Sequence, residues 1–442
     1  MAFVDLRSWL DQLERDGELV RWQESADLSY DIPRILEDND GRSAVLFEKP
    51  AFSPSLAGVV VGNTLGSRAQ AARALGVSKD QVLARYLRAL ENPITPREVS
   101  QVEAPVLEVE EADVRVDLLP APWHHEKDSG RYITAAIVVA RSLSNGVYNW
   151  SIHRLQINDS KHLGIFILPR HLWRMFTEAE HQGKDLPVAL AIGLPPAYTL
   201  ASQALTAYGV DEASVAGGLL GVPAPLVKSP RYGLLSPAMA EFLLEGRILA
   251  NVRQPEGPFG EFPRTYGPRS DKPVVRVEAI YHRRNPYFQT ILPASREHML
   301  LGAIPRECAL YKATQQVSAN VKDVVLTFAS GCRYHAVVAM TPRLPGEAKN
   351  VILAAFAAAN EVKRVVVVND DIDIHSPEDV EWALATRFQP GRDLILIREA
   401  LGSPLDPSAD SRGVTDKWGL DATIPVGADP SRFERVKTPR RS

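Results

Sequence analysis

Apolar residues recur with a helical period at the start of the chain. Four of them share one helix face and a glycine follows as a stop signal: Leu6, Trp9, Leu10, Leu13 and then Gly17. Short strand-like and helical patterns then alternate to about residue 100, with helices expected near 67–75 and 79–92. This alternation predicts a first α/β domain over residues 1–115.

The middle of the chain has a different pattern, in which strand-like runs follow one another closely. Turn residues such as Ser144-Asn145-Gly146 separate the first of these runs, and Asn-Gly between β-rich runs indicates a hairpin. Two helical insertions are expected at 171–182 and 212–220. The pattern predicts a barrel or sandwich over residues 116–300, with strands at 131–142, 147–157, 161–168, 186–193 and 273–281.

From about residue 300, helical and strand-like patterns alternate again. The run Arg364–Val368 has no polar alternation, which is typical of a strand buried on both faces of a parallel sheet. A third, α/β domain is therefore predicted over residues 301–442. Residues after about 402 are rich in Pro, Asp and Ser, and we expect an extended arm there that lies outside the core.

Composition excludes some classes of protein. Of the 442 residues, 45% are hydrophobic and 24% are charged, which excludes a disordered chain because there is enough apolar surface to form cores. The formal net charge of −4 argues against a nucleic-acid-binding protein, which needs clustered cations. The charged N-terminus lacks a signal-peptide core, and the apolar run 133–140 is far shorter than the roughly 20 residues that span a bilayer. Together with only two cysteines, this predicts a cytoplasmic protein without a membrane segment.

Two carboxylates lie five residues apart in the segment RQPEGPFGEFPRTYG. Glu256 and Glu261 flank Gly257, Pro258 and Gly260, which disfavour a helix and allow a tight loop. A loop that directs two carboxylates at one small volume can raise the pKa of one of them and create a general acid. The alternative is that both are solvated loop charges.

A strand-like segment, NGVYNWSIHRLQIND, carries unusual polar positions. Arg154 follows Asn149 by five residues, an odd offset that places the two on opposite strand faces unless a bend intervenes. An arginine on a strand often binds a carboxylate through two parallel hydrogen bonds. The alternative is an outward-facing ion pair of little energetic value.

One amide, one imidazole and one carboxylate form a third group of candidates. Asn149, His171 and Glu212 offer ligand types that suit Mn²⁺ or Mg²⁺ better than structural zinc. Their sequence spacing alone does not support a shared ion. The neighbouring His124 and His125 are not predicted to share a metal, because adjacent side chains of an extended chain point in opposite directions.

Taken together, these segments resemble the UbiD family of reversible decarboxylases, which use prenylated FMN. The resemblance spans nearly the whole chain and depends on the order and spacing of several motifs: LPAPWHHEKDSGRYIT, NWSIHRLQ, PRH, GVDEASVAGGLLG, EGPFGE, NDDIDIHSPEDVEWALATR, GSPLDP and GLDAT. It implies an N-terminal α/β domain, a central split β-barrel that binds the flavin, and a C-terminal α/β domain that mediates oligomerisation.

The resemblance also implies a carboxy-lyase with assigned site residues. Catalytic roles fall on Arg154, Glu256 and Glu261, with Glu261 as the proton donor and Glu256 as the partner of Arg154. The implied cofactors are prenylated FMN, Mn²⁺ or Mg²⁺, and K⁺. Cofactor binding is assigned to Asn149, Ile152, Arg154, Arg170, His171 and Glu212, and metal binding to Asn149, His171 and Glu212.

Partners and substrate follow from the same resemblance. The expected substrate is an aromatic, heteroaromatic or α,β-unsaturated carboxylic acid, with CO₂ as product, and Phe262 and Ser403-Pro404 are expected to line its pocket. A separate flavin prenyltransferase would supply the cofactor, and the chain is expected to form a homodimer or a larger homo-oligomer. The alternatives are an FMN-dependent reductase or oxidase on a split barrel, and a non-catalytic flavin-binding protein.

Overall fold

The computed structural model describes residues 3–436 and Thr438. The chain divides into two compact units, Met1–Pro305 and Arg306–Ser442. Within the described part of the chain, no helix combines the length and the apolar character that crossing a membrane requires.

The N-terminal part of the first unit is a small α/β layer. The predicted apolar face of its first helix is buried against strand residues that include Leu46 and Val61. Asp5 caps this helix, because its side chain accepts a hydrogen bond from the Ser8 amide at 2.9 Å. The helices are α1 (Leu6–Arg15), α2 (Asp31–Asp38), α3 (Arg68–Ala74) and α4 (Val82–Glu91), and the strands are β1 (Leu19–Trp22), β2 (Ala44–Phe47), β3 (Val59–Gly62), β4 (Arg97–Glu98) and β5 (Val109–Glu110).

The middle of the first unit is β-rich, as the pattern predicts. Its strands are β6 (Tyr132–Ile133), β7 (Ile137–Arg141), β8 (Tyr148–Ile152), β9 (Leu155–Ile157), β10 (His162–Ile165), β11 (Leu186–Ile192), β12 (Pro225–Lys228), β13 (Leu235–Pro237), β14 (Phe242–Glu256), β15 (Phe259–Gly260), β16 (Tyr266–Gly267), β17 (Ser270–His282) and β18 (Tyr287–Gln289). Three helices interrupt them: α5 (His171–His181), α6 (Pro196–Ala201) and α7 (Glu212–Leu220).

An antiparallel sheet in the order β6-β9-β10-β17-β14-β11-β7-β8 organises this region, with β5 added to β17. Smaller sheets have the orders β1-β2-β3-β18, β13-β12-β4 and β15-β16. The inner face of the large sheet packs on α2 and α5 in one apolar core that includes Ile32, Val138, Phe176 and Leu244. The core holds β8, β9 and the end of β14 in fixed register, and these segments carry the candidate site.

The sequence pattern did not predict the longest central strand, β14. Its pairing with β17 shifts register between Ile248 and Arg253, and Asn251 has a positive φ of 57°. Such an irregularity interrupts the period-2 alternation by which strands are recognised.

A mixed sheet in the order β19-β20-β21-β23-β22 forms the second unit. After the long helix α8 (Arg296–Val317), the strands are β19 (Val321–Leu326), β20 (His335–Met340), β21 (Arg364–Val368), β22 (Leu394–Leu401) and β23 (Val414–Ala422). The helices are α9 (Glu347–Ala358), α10 (Pro377–Arg387) and α11 (Pro390–Asp393). The valine run of β21 pairs in parallel with both neighbours, as predicted.

The predicted extended arm after about residue 402 is wrong for residues 414–422. These residues form β23, which lies between β21 and β22 inside the sheet. The sequence did not predict this strand, because it contains a lysine, Lys417, at a position that is buried in the sheet. Lys417 is only 3% exposed, and its ammonium group donates to the Asn360 carbonyl at 2.8 Å. The last part of the predicted arm, residues 437 and 439–442, lies outside the described residues.

Candidate active site

Arg154 binds both glutamates of the Gly- and Pro-rich loop. It lies in the break between β8 and β9, while Glu256 ends β14 and Glu261 directly follows β15. Arg154 donates from Nε and Nη2 to the two oxygens of Glu256 at 2.8 and 2.7 Å, and from Nη1 to Glu261. The side chain of Glu256 is fully buried, and those of Arg154 and Glu261 are 10% and 11% exposed. The alternatives of solvated loop charges and an outward-facing ion pair are therefore wrong.

The loop between the two glutamates turns sharply because glycines occupy its tightest positions. Gly257 has a φ of +83°, in the left-handed region that favours glycine. A Cβ atom on Gly260 would lie 2.5 Å from His125 Nδ1, so only glycine allows this approach. The loop is fixed by the Gly257 amide, which donates to Gln156 Oε1 at 3.2 Å, and by the Gly260 amide, which donates to Asp128 Oδ1 at 2.9 Å.

Two aromatic rings and a second cation adjoin the arginine. The guanidinium carbon of Arg154 lies 4.5 Å from the ring centre of Phe166 and 4.7 Å from that of Phe259. Lys272 Nζ lies 4.6 Å from the Phe166 ring centre. These contacts limit rotation of the guanidinium plane and favour its cationic form through the electron-rich ring faces.

The pKa values of the buried groups are shifted in opposite directions. Burial, with the nearby charge of Glu256, raises the pKa of Glu261 above its usual value, although Arg154 opposes the shift. Burial alone would lower the pKa of Arg154, but the two glutamates raise it. Burial lowers the pKa of Lys272. The environment of Glu261 thus favours the protonated form of its carboxyl group.

A cavity of about 870 Å³ opens beside Glu261. Its lining combines aromatic, basic and acidic side chains, among them Tyr30, Arg34, Glu37, Asp40, Trp123, His124, His125, Glu126, Glu261, Arg264 and Tyr266. Phe262, which the sequence predicts to line the pocket, is 6% exposed and lies outside this set. The volume is in the range of cavities that hold small organic ligands.

The predicted cofactor-binding residues lie around β8. Asn149 and Ile152 are on this strand, and Glu212 begins α7, which packs against it. Glu212 Oε2 accepts from the amide of Trp150 at 2.9 Å, so its carboxylate lies beside the backbone next to Asn149. His171 begins α5, which also packs against β8.

The surroundings of Glu212 fit a cation. Its side chain is buried, with the residue 3% exposed, and no basic side chain pairs with it among residues 3–436 and 438. Burial raises the pKa of Glu212 to about 8. No three carboxylate, imidazole or thiol side chains converge as a metal site within the same residues, so an ion here would need Asn149 as well as His171 and Glu212. The donor set suits a divalent cation.

The start of α5 fits a phosphate group. Its N-cap residue, Arg170, forms no side-chain capping hydrogen bond, which leaves the first-turn amides for another acceptor. Burial first, and then the charges of Arg170 and Arg174, lower the pKa of His171. A neutral imidazole is the form that ligates a metal ion.

Family models match three successive parts of the chain. Models of the 3-octaprenyl-4-hydroxybenzoate carboxy-lyase N-terminal domain, Rift-related domain and C-terminal domain match residues 10–90, 97–296 and 299–422 in turn. The chain belongs to the UbiD family of carboxy-lyases. The family models confirm the three-domain organisation expected from the sequence, while the exact domain boundaries at 115/116 and 300/301 stay predictions.

Several UbiD-family proteins are similar over their whole length. The UbiD-class enzyme HmfF from Pelotomaculum thermopropionicum, in complex with FMN, is 47% identical, with a TM-score of 0.96 and coverage of 98% of this chain and 97% of that one. An evolved dimeric form of HmfF in complex with prFMN is 45% identical, with a TM-score of 0.92 and coverage of 99% and 97%. An anhydromevalonate phosphate decarboxylase from Methanothermobacter thermautotrophicus is 35% identical, covering 98% and 99%. A phenolic acid decarboxylase from Sedimentibacter hydroxybenzoicus is 33% identical, covering 98% and 94%.

Sequence reasoning missed two polar residues of this UbiD-family site. Asp128 accepts the amides of Gly260 and His125, at 2.9 and 3.0 Å, and so ties the glutamate loop to the preceding segment. Lys272 pairs across the sheet with Gln254 and thereby lies near Glu256. The sequence pattern did not predict the pairing of β14 with β17, which brings Lys272 to this site.

Proposed function

We propose that this UbiD-family carboxy-lyase uses prenylated FMN to decarboxylate an aromatic, heteroaromatic or α,β-unsaturated carboxylic acid reversibly. The observation that carries the proposal is the buried arginine, Arg154, which binds Glu256 and Glu261 at once beside a cavity. The similarity to HmfF, which binds FMN and prFMN, and to two decarboxylases supports the proposal.

The protein residues divide the work between positioning and proton transfer. When bound, prenylated FMN supplies the electron sink for the bond to the departing carboxylate. Burial raises the pKa of Glu261, which favours its protonated form, and in this proposal the carboxyl donates its proton to the carbon that loses CO₂. Glu256 holds Arg154 through two hydrogen bonds and keeps the guanidinium plane fixed. In the carboxylation direction, Glu261 accepts the same proton.

The lining of the cavity favours an aromatic or heteroaromatic acid. Tyr30, Trp123 and Tyr266 offer ring faces and edges against which a flat ring can pack. The ring faces of the lining, and not its mixture of acidic and basic side chains, are the reason that we prefer an aromatic acid, as in the phenolic acid decarboxylase relative.

The cofactor's phosphate end is assigned to the residues around β8. Asn149, His171 and Glu212 would hold a divalent ion, Mn²⁺ or Mg²⁺, while the start of α5 with Arg170 would receive the phosphate. Ile152 would contact the flavin from the same strand. A K⁺ ion completes the proposed set. The relative described as an evolved dimeric form supports the predicted homo-oligomer.

His171→Ala is expected to lower flavin retention at least tenfold while leaving the fold intact, because the imidazole would ligate the ion that holds the phosphate. Flavin content after gel filtration, with the melting temperature, checks this. His181→Ala is the matched control, since His181 is an exposed histidine that ends the same helix. Full flavin content in His171→Ala would contradict the ligand assignment.

A CO₂-release screen tests the proposed function. The protein is produced together with a flavin prenyltransferase and is incubated with phenolic, heteroaromatic and acrylic acids and with anhydromevalonate phosphate. We expect CO₂ release from at least one aromatic or heteroaromatic acid. Release from no acid in the panel, by protein loaded with prenylated FMN, would contradict the function.

A further inference from the structure

A continuous line of hydrogen bonds joins the proposed metal ligand Asn149 to Phe166. Asn149 Nδ2 lies 2.9 Å from Ser151 Oγ, Ser151 Oγ lies 2.9 Å from His153 Nε2, and His153 Nδ1 lies 2.9 Å from the carbonyl oxygen of Phe166. The ring of Phe166 also contacts Arg154. We refer to Asn149, Ser151, His153 and Phe166 as the amide relay.

The Phe166 end of the amide relay fixes which nitrogen of His153 carries the proton. A carbonyl oxygen only accepts, so His153 Nδ1 must be the donor. The partners of the ring are uncharged, and burial lowers the pKa of His153 to about 4, so the ring is neutral. A neutral imidazole has one N–H group, which leaves Nε2 as an acceptor.

The remaining protons of the relay follow by counting. Ser151 has one hydroxyl hydrogen, and the bond to His153 Nε2 uses it. Ser151 Oγ must therefore accept from Asn149, and only the amide nitrogen of Asn149 can donate. The amide is thus held by its nitrogen, and its oxygen, Oδ1, is the atom that is not bound to Ser151.

We propose that Ser151 and His153 are positioning residues that orient Asn149 with its oxygen toward the divalent ion. The inference rests on the proposed function, which places that ion beside Asn149 and Glu212. A reversed amide would present N–H donors to a cation and could not ligate it. The relay therefore decides whether Asn149 is a ligand, and it links the ligand to the residue that packs on Arg154.

Loss of a residue that hydrogen-bonds and orients a metal ligand typically weakens metal binding by about 10- to 100-fold. Ser151→Ala removes the acceptor that holds the amide, so we expect a loss of this size in Mn²⁺ affinity. Ser151→Thr keeps the hydroxyl group, so its Mn²⁺ affinity should stay within about threefold of the wild-type value. Ser236→Ala removes another hydroxyl, fully buried and bonded to the Leu234 carbonyl, and is the matched control.

The decisive comparison repeats Ser151→Ala in the Asn149→Asp background. A carboxylate has oxygen at both ends, so its orientation no longer matters to the ion. We expect Ser151→Ala to lower Mn²⁺ affinity at least tenfold when residue 149 is Asn, and less than threefold in the Asn149→Asp background. This double-mutant cycle isolates the orienting effect. Free Mn²⁺ is measured by electron paramagnetic resonance during titration of the full chain saturated with FMN.

Two results from the variants would overturn the relay alone. One is Mn²⁺ affinity in Ser151→Ala equal to that in Ser236→Ala, and the other is the same loss in both backgrounds, which indicates a merely structural effect. Absence of Mn²⁺ binding by the wild-type protein would overturn the metal assignment and the relay with it. If the Mn²⁺ affinities follow the expected double-mutant cycle but the protein releases no CO₂, only the proposed reaction is contradicted.

Discussion

Glu261→Gln is expected to reduce CO₂ release by about 10² to 10⁴ while the protein still folds and binds flavin. Glutamine keeps the size of the side chain and an acceptor for Arg154 Nη1, but it cannot donate the proton. The variant should also fail to exchange deuterium from the solvent into the product at the carbon that carried the carboxylate. Mass spectrometry of product incubated in D₂O checks the exchange directly.

The Glu261→Asp variant and the pH profile of the wild type separate proton donation from simple disturbance of the site. Glu261→Asp retains a carboxyl group and should keep measurable exchange, with a rate that falls as pH rises through the carboxyl's pKa. Because the pKa of Glu261 is raised, the acidic form persists to higher pH than for an ordinary glutamate, and the alkaline decline of the wild type begins correspondingly later. Exchange at the wild-type rate in Glu261→Gln would remove the proton-donor role.

Glu256→Gln is expected to fail in a different way, with CO₂ release reduced on the order of 10² to 10³ and a changed spectrum of the bound cofactor. The substitution leaves one acceptor oxygen where Glu256 has two and removes its charge, so Glu261 is then the one carboxylate that binds the buried guanidinium. It also removes the negative charge that raises the pKa of Glu261, so the donor ionises at lower pH. Part of the lost rate should return on acidification.

Glu241→Gln is the matched control for this variant. Glu241 is also fully buried and accepts from Nε and Nη2 of Arg7, both at 2.8 Å, but it lies outside the residues that line the cavity. Both variants should lose stability, because each removes the charged partner of an arginine, and the loss should be smaller for Glu241→Gln, since the Arg7 side chain is 31% exposed and that of Arg154 is 10% exposed. Only Glu256→Gln should alter the cofactor spectrum. Equal spectra in the two variants would contradict the role assigned to Glu256.

Local signals in the sequence were sufficient for elements whose pattern is regular. The bounds predicted for α7, 212–220, match the structure, because both ends carry a local signal: Asp211 accepts a first-turn amide, and Gly221 adopts the left-handed conformation after the last residue. The same rules failed for β14 and β23, where a register shift or a buried lysine hides the alternation.

The site itself could be predicted only in part. The residues Arg154 and Glu256 are 102 positions apart, and no spacing rule brings them together. Their assignment came from the resemblance of the motifs to a family, whereas the Gly and Pro pattern independently predicted the tight loop that presents both glutamates. Asp128 and Lys272 escaped because their roles depend on contacts between distant segments, which appear only once the strands are paired.

Activity with prenylated FMN, compared with activity with unmodified FMN, tests the central claim most directly. The same chain is produced in hosts with and without a flavin prenyltransferase, and CO₂ release is measured from the best acid of the screen at equal flavin occupancy. We predict turnover only in protein loaded with prenylated FMN, with both preparations equally folded. Equal turnover in both preparations would contradict the account and favour the plain FMN-dependent enzyme.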